Sequence, residues 1–389
     1  MEVKPGYKLT EVGVIPEEWE MVAVADLVEP SAPICYGVVQ VGQHTESGVP
    51  IVAIKFVKEI AHAPLHRTAA HLEQPYAKSR PKGGDVLISI KGTIGRVGIV
   101  PNAFQGNISR ELARLRIRDD LCPEYIAHQL ESGATQERIM RSVVGTTRLE
   151  FSIATLRKFP LPIPPNLPAQ RAIAEALSDV DGLLGGLERL IAKKRDLKQA
   201  AMQQLLTGQS RLPGFQGEWE VKRLGNVAPL QRGFDLPNPL LKSGPYPVVY
   251  SNGILNHHVA FQVKGPGVVT GRSGTIGKVT FVEGDFWPHN TSLWVTSFKG
   301  NDSKFVFYLY SSLGFERFAS GSGVPTLNRN DAHAYHVQIP PTKAEQTAIA
   351  QMLSVMDEEL AALEKRRDKT RALKQAMMHE LLTGRTRLV

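Results

Sequence analysis

Two glycine turns flanked by cations are the first residues whose types and spacing suit a chemical task. Gly92-Thr93-Ile94-Gly95 lies between Lys91 and Arg96, and Gly274-Thr275-Ile276-Gly277 lies between Arg272 and Lys278. Exposed glycines let a backbone approach a polyanion, and neighbouring cations engage phosphates. Lys91, Thr93, Arg96, Arg272, Thr275 and Lys278 are therefore candidate nucleic-acid contacts, although the same glycines also suffice as tight connections between strands. A second small, polar, basic segment follows in each half of the chain: Gly145-Thr146-Thr147-Arg148-Leu149, and Gly323-Val324-Pro325-Thr326-Leu327-Asn328-Arg329. Thr147, Arg148 and Arg329 suit contact with a phosphate or a guanine edge, or simply line surface loops.

No catalytic constellation accompanies them. Ser-Gly-Ser-Gly around Gly321 lacks the later glycine of a dinucleotide fingerprint, and there is no Walker-type Gly-Lys-Ser/Thr. His62, His66 and His71, and the adjacent His257-His258, lack cysteine or acidic partners at metal-ligand spacing, so no metal site is expected. Glu218-Trp219-Glu220-Val221-Lys222 contains a nuclease-like Glu-x-Lys, but its near copy Glu18-Trp19-Glu20 lacks the lysine, and both tryptophans read as domain anchors. The two cysteines, Cys35 and Cys122, are too few for a disulfide framework and read as buried thiols in a reducing compartment. No catalytic residue or cofactor is assigned to this chain.

Composition agrees with a binding protein. The 389 residues carry a net charge of +8, which favours a polyanionic partner, and 42% hydrophobic against 22% charged residues excludes wholesale disorder. Length alone predicts two or three domains. No stretch approaches the roughly 20 apolar residues of a membrane span, and the first residues lack the apolar core of a signal peptide, so a cytoplasmic protein is expected.

An internal repeat organises everything else. The segment from Ile163 recurs from Ile339 at a constant offset of 176, Gly208 answering Gly384, with about 26 of roughly 50 aligned pairs identical. Within it, Ile173, Leu177, Val180, Leu184 and Leu187 recur as Ile349, Leu353, Met356, Leu360 and Leu363 at spacings of three and four, continuing to Leu197 and Leu373. That is a narrow coiled-coil seam. Thr342 and Glu345 have capping-box spacing at the second helix start, Asn166 can cap the first, and Leu-Leu-Thr-Gly ends both. Two helices of about 40 residues, each roughly 60 Å long, need partners, and each other is the obvious choice.

Between the helices lie short strand-like runs and a few amphipathic helices, so the expected fold is α+β. Two mixed α/β domains are separated by two long helices that pair as an antiparallel coiled coil, with internal pseudo-twofold symmetry. The expected boundaries are 1–162 for the first domain, 163–212 for the first helix, 213–338 for the second domain and 339–389 for the second helix.

This arrangement resembles the DNA specificity subunits of type I restriction-modification systems over nearly the whole chain. The resemblance rests on Tyr7-Lys8-Leu9-Thr10, Gly13-Val14-Ile15-Pro16, Trp19, the Ile-Pro-Pro starts at Ile163 and Ile339, Gln170, Gln346 and both Leu-Leu-Thr-Gly ends. Ala169-Gln170 departs from the family's Glu-Gln, which survives as Glu345-Gln346. The resemblance implies a non-catalytic reader of double-stranded DNA. Each domain would take one half of a split asymmetric target, and the helix pair would set the spacing. Two DNA adenine methyltransferase subunits and the motor-nuclease restriction subunits would be the partners, and those partners would bring S-adenosylmethionine, ATP and Mg. Gln170 and Gln346 are candidates for partner docking because the repeat preserves more around them than a two-helix seam requires. Two other readings fit less of the sequence: the specificity subunit of a fused, double-cutting type II system, and a coiled-coil scaffold presenting two protein-binding domains.

Overall fold

The computed structural model describes residues 4–143, 149–320 and 325–388. The chain forms two compact units, residues 1–187 with 366–389, and residues 188–365. Both divisions fall inside the long helices, so each unit holds a sheet domain, the start of one helix and the end of the other. The packing boundaries depart from those expected at 162, 212 and 338 because helix and domain share a core.

In the first unit the strands are β1 (Cys35–Tyr36), β2 (Val49–Val52), β3 (His66–Thr68), β4 (Val86–Ser89), β5 (Val97–Ile99), β6 (Asn107–Ile108) and β7 (Leu112–Leu115). They make an antiparallel sheet in the order β1-β7-β4-β5 and a smaller one in the order β3-β2-β6, in which β2 and β6 run parallel. The second unit repeats this topology. Its strands are β8 (Leu230–Arg232), β9 (Tyr246–Tyr250), β10 (Gly253–His258), β11 (Gly267–Gly271), β12 (Val279–Val282), β13 (Trp287–Pro288) and β14 (Ser292–Val295). The orders are β8-β14-β11-β12 and β10-β9-β13, with β9 and β13 parallel. A ribbon closes each unit, Glu20–Ala23 on Pro160–Ile163 and Glu220–Arg223 on His336–Ile339. The first unit adds a hairpin, Tyr7–Thr10 on Gly13–Pro16.

Strand β4 is buried on both faces, which is why it reads as a continuous apolar run rather than an alternating one. Its side chains still alternate with the two-residue period: Val86, Ile88 and, just beyond the strand, Ile90 enter the main core, while Leu87 enters a second cluster with Val52, Ile108 and Leu112. Val268 and Val269 of β11 divide the same way between the two clusters of the second unit. A helix covers each main core, α1 (Pro123–Glu131) in the first unit and α3 (Ser303–Ser312) in the second, and the long helices are α2 (Leu167–Leu206) and α4 (Lys343–Leu381).

Both long helices end as their sequence dictates, with Gly208 and Gly384 in the left-handed region at φ 72° and 67°. Asn166 Oδ1 accepts from Ala169 N at 2.8 Å, capping α2. At α4 only half of the capping box forms: Thr342 Oγ1 accepts from Glu345 N at 3.3 Å, but the Glu345 carboxylate is engaged elsewhere.

The helices run antiparallel within each unit. In the second, Lys194 pairs with Glu359 at 2.6 Å, Lys198 pairs with Asp357 and Arg195 with Glu364. In the first, Lys374 pairs with Asp181 at 2.6 Å. Lys374 and Asp181 are the offset-176 copies of Lys198 and Asp357, so the repeat duplicates a contact as well as a sequence. The apolar stripe is less of a two-helix seam than its spacing suggests. Ile173 and Leu177 are buried in the first unit's main core with Trp19 and Tyr125, and Ile349 and Leu353 in the second's with Phe305 and Val306. Leu187 and Leu360 are buried, while Val180, Leu184, Met356 and Leu363 are half-buried. Leu197 and Leu373 are 48% and 55% exposed, contrary to the seam reading.

Candidate nucleic-acid interface

The two glycine turns are the connections between β4 and β5 and between β11 and β12. All four glycines are left-handed: Gly92 and Gly95 at φ 68° and 83°, Gly274 and Gly277 at 85° and 90°. A side chain at these positions is strained, so the residue type follows from the turn itself. In the first unit Ser89 Oγ donates to Thr93 O at 2.5 Å and accepts from Arg96 N at 2.8 Å, while Gln136 Nε2 donates to Gly95 O at 2.9 Å. These bonds hold the turn with Thr93 and Arg96 exposed. In the second unit Lys278 Nζ donates to Asn252 O at 2.5 Å and Arg272 Nη1 to Asn290 O at 3.3 Å, and Thr275 is exposed.

Each turn meets a chain segment from much later in sequence, and in the second unit that segment is the basic one, through Thr326 and Leu327. Lys91 forms an isolated bridge with Glu150, and its ammonium lies 3.3 Å from the Glu150 carboxylate. Ser273 bridges Thr326, and Leu327 N donates to Arg272 O at 2.8 Å. Arg329 is exposed as the first residue of the helix Arg329–Ala334, which Asn328 caps. Thr147 and Arg148 lie outside the described residues.

A third segment joins each cluster without any signal in the sequence. Ile90 N donates to Glu111 O at 2.8 Å in the first unit, and in the second Arg272 N and Ser273 N donate to Thr291 O at 2.9 and 3.1 Å. Ser109-Arg110-Glu111 and His289-Asn290-Thr291 share no residue, so no repeat search finds them. Tyr250 packs on His289 with ring centroids 4.3 Å apart, and burial holds the His289 imidazole below the usual histidine range, so it is neutral at pH 7. The second unit also contains a cleft of about 1110 Å³ floored by Met202, Leu206, Leu309 and Leu360, but none of the loop-cluster residues lines it.

The docking expectation for Gln170 and Gln346 is corrected. They are 2% and 3% exposed. Gln170 Oε1 accepts from the N–H of Cys122, the residue that starts α1, at 2.9 Å, and its Nε2 donates to Pro164 O at 3.2 Å. Gln346 does the same for Asp302, which starts α3, at 2.9 Å, and for Pro340 at 3.4 Å. Each glutamine satisfies a helix-start amide, buried at Cys122 and partly buried at Asp302, which accounts for its repetition inside the chain. Cys122 is buried as expected, its thiol pushed up to about 11 by burial, whereas Cys35 is half-buried. Among the described residues no group of three or more metal-ligating side chains occurs, and no helix is long and apolar enough to cross a membrane.

Residues 16–193 and 216–371 match the family described as type I restriction modification DNA specificity domain. The chain belongs to that family. Each match spans one of the two repeated domains with the greater part of the long helix that follows it. The specificity chain is 25% identical to a Methanocaldococcus jannaschii protein named as the type I restriction enzyme MjaX specificity subunit, over 98% of this chain and 97% of that one. It is 24% identical to the Escherichia coli EcoBI specificity subunit over 50% of this chain and 43% of that one. Its fold is similar to the crystal structure of a type I restriction-modification S subunit from M. genitalium, with a TM-score of 0.66 at 17% identity, covering 98% of both chains. A second solved chain, from a study of complex assembly and conformational transition of the type I R-M system, has a TM-score of 0.56 at 17% identity, covering 95% and 99%.

Proposed function

We propose that this specificity subunit reads a bipartite, asymmetric duplex target, one half through each unit, and delivers methyltransferase and restriction subunits to it. The observation that carries this reading is the contrast within the repeat. Two domains of identical strand order retain the glycine turns and the helix contacts, yet differ in the exposed side chains around those turns. A structural duplication has no need of such divergence, whereas two readers of unlike half-sites require it. Lys91, Thr93, Arg96, Thr147 and Arg148 serve one half-site, and Arg272, Thr275, Lys278 and Arg329 the other.

In this reading the paired helices set the gap between the half-sites. Half-sites read from one face of a duplex lie about one helical turn, roughly 34 Å, apart. The chain itself performs no chemistry; adenine methylation with S-adenosylmethionine and ATP- and Mg-dependent cleavage belong to its partners, in the cytoplasm. Partner docking falls to the outward helix faces, where Leu197 and Leu373 occupy matched exposed positions, rather than to the buried glutamines.

The test is to produce the full chain with the methyltransferase subunit of its own system in a methylation-free host and to map adenine methylation by single-molecule sequencing. One split motif that disappears when this chain is omitted is the expected result. Methylation that is absent, or indifferent to the chain, sinks the assignment.

A further inference from the structure

The two units share one more backbone frame, outside everything the sequence repeats. Val38 forms an isolated parallel bridge with Ser109 and donates its N–H to Ile108 O at 2.8 Å; Phe234 bridges His289 and donates to Pro288 O at 2.8 Å. A glycine precedes each, because a Cβ on Gly37 would lie 1.8 Å from Ile108 O and one on Gly233 would lie 2.2 Å from His289 O. In this shared register Tyr36 answers Arg232, Val39 answers Asp235 and Arg110 answers Asn290. The backbone is constant and the outward side chains differ completely. Both frames adjoin the glycine turns through the amide bonds to Glu111 and Thr291 described above.

In the second unit the outward residues form a constellation. Asp235 Oδ1 accepts from Arg232 Nη2 at 3.0 Å and from the Asn290 side-chain amide. Phe234 between them is packed against Trp287 and Trp294, with centroids 6.4 and 6.2 Å away, and its carbonyl accepts from the Trp287 indole at 3.3 Å. Arg232 and Asp235 are exposed, so little apolar burial explains their pairing.

An exposed carboxylate is a disadvantage on a surface that meets only phosphates, since it cancels a guanidinium and repels the DNA backbone. What it provides is direction: the Nη2–Oδ1 bond restrains the planar guanidinium of Arg232, whose other N–H groups belong to an exposed side chain within reach of a ligand. A fixed guanidinium fork matches the N7 and O6 acceptors of guanine in the major groove. We infer that Arg232 reads a guanine edge in the half-site taken by the second unit, with Asp235 as its positioning residue and Asn290 beside it. This rests on the DNA-reading assignment above and names the residue that determines one position of the target.

The experiment uses the same full-chain assembly and methylation map with Arg232→Lys and Asp235→Asn. Lysine keeps the charge but loses the bidentate fork, so a phosphate contact tolerates it and a guanine reader does not. Arg232→Lys is expected to relax one guanine position in one half of the motif by about tenfold. Asp235→Asn should relax the same position less, and the other half should be unchanged. An unchanged motif with Arg232→Lys, or equal loosening of both halves, overturns the inference while leaving the wild-type motif to support the broader assignment. Absence of any split motif from the wild type overturns both. Should Asp235→Asn lower the thermal midpoint, Arg232→Lys carries the test alone.

Discussion

Glu345 and Ala169 occupy the same place in two otherwise matched anchors. In the second unit the Glu345 carboxylate, 1% exposed, accepts from Arg211 Nε and Nη2 at 2.9 and 2.6 Å and from the Trp219 indole at 3.3 Å. One buried charge thereby joins the start of α4, the segment after α2 and the tryptophan at the beginning of the domain. Ala169 offers no carboxylate in the first unit, so Arg387, the offset copy of Arg211, turns to Glu18 at 2.8 Å, near the surface. There the helix end is held by packing and neutral bonds. Trp19 is buried edge-on to Tyr125 at 6.4 Å, Gln129 Nε2 donates to Leu382 O at 2.7 Å, and Tyr7 OH donates to Gly384 O at 3.3 Å. What the two units share is the junction, reached by charge in one and by packing in the other.

The largest effect should come from removing the charge that only one unit has. Glu345→Ala leaves the Trp219 indole and the Arg211 fork without their buried acceptor, and should cost about 2–3 kcal/mol. The loss should appear as faster amide hydrogen exchange in residues 188–365, with the first unit unaffected. Ala169→Glu offers Arg387 an alternative to Glu18 and should change the first unit's protection far less. Equal responses to the two substitutions would erase the distinction between the anchors.

That distinction marks the limit of what local sequence pattern encodes. The departure at Ala169 was visible, and so were the helices, because a three-four spacing closed by Leu-Leu-Thr-Gly has few other interpretations. Burial along the stripe was not. A straight helix drifts about 20° per heptad against a 3.5-residue seam, and here the domains claim the face of Ile173 and Leu177. Leu197 and Leu373 consequently emerge into solvent although they continue the pattern. The glycine turns were legible because their conformation demands glycine, whereas the frame of Gly37 and Gly233 depends on bridges to Ser109 and His289, more than 50 residues away, that local spacing cannot encode. Gln170 and Gln346 were visible as repeated residues, but their use as internal helix caps required knowing where Cys122 and Asp302 lie.

A second matched pair gives a smaller, pH-dependent difference. His128 Nε2 lies 3.1 Å from Ser178 Oγ, and Tyr308 OH donates to Ser354 Oγ at 3.2 Å, the two serines being offset copies. Burial, reinforced by the Lys374 charge, holds the His128 imidazole below its ordinary value of 6.5, outweighing Asp181, Glu131 and Glu124, which act in the opposite sense. The unfolded chain therefore takes up the proton first as pH falls. The stabilisation from neutral His128 is present above about 6.5 and is lost from there down toward its lowered folded value. Tyr308, raised by burial, stays protonated throughout. Protection factors at α1, taken relative to the intrinsic exchange rate at each pH, should fall between pH 7 and 5 more than at α3, and His128→Gln should remove the α1 excess. An α1 response that survives the substitution would mean that other groups govern it.

The smallest effect on stability belongs to the positions where the two units agree most closely. Leu197 and Leu373 are matched copies, one in each unit, and both are about half exposed, so neither loses much contact on truncation. Leu197→Ser and Leu373→Ser should each stay within about 0.5 kcal/mol of the wild type in denaturant unfolding. Exposed leucine on a charged helix is nevertheless unfavourable to keep twice, because it adds apolar surface without contributing to the fold. If these faces dock the methyltransferase, the paired substitution should weaken assembly, measured by co-purification and sedimentation, while the isolated chain unfolds as before. Full assembly of the double variant would remove the helix faces from the interface, and a stability loss above about 1 kcal/mol would show that these leucines are packed after all.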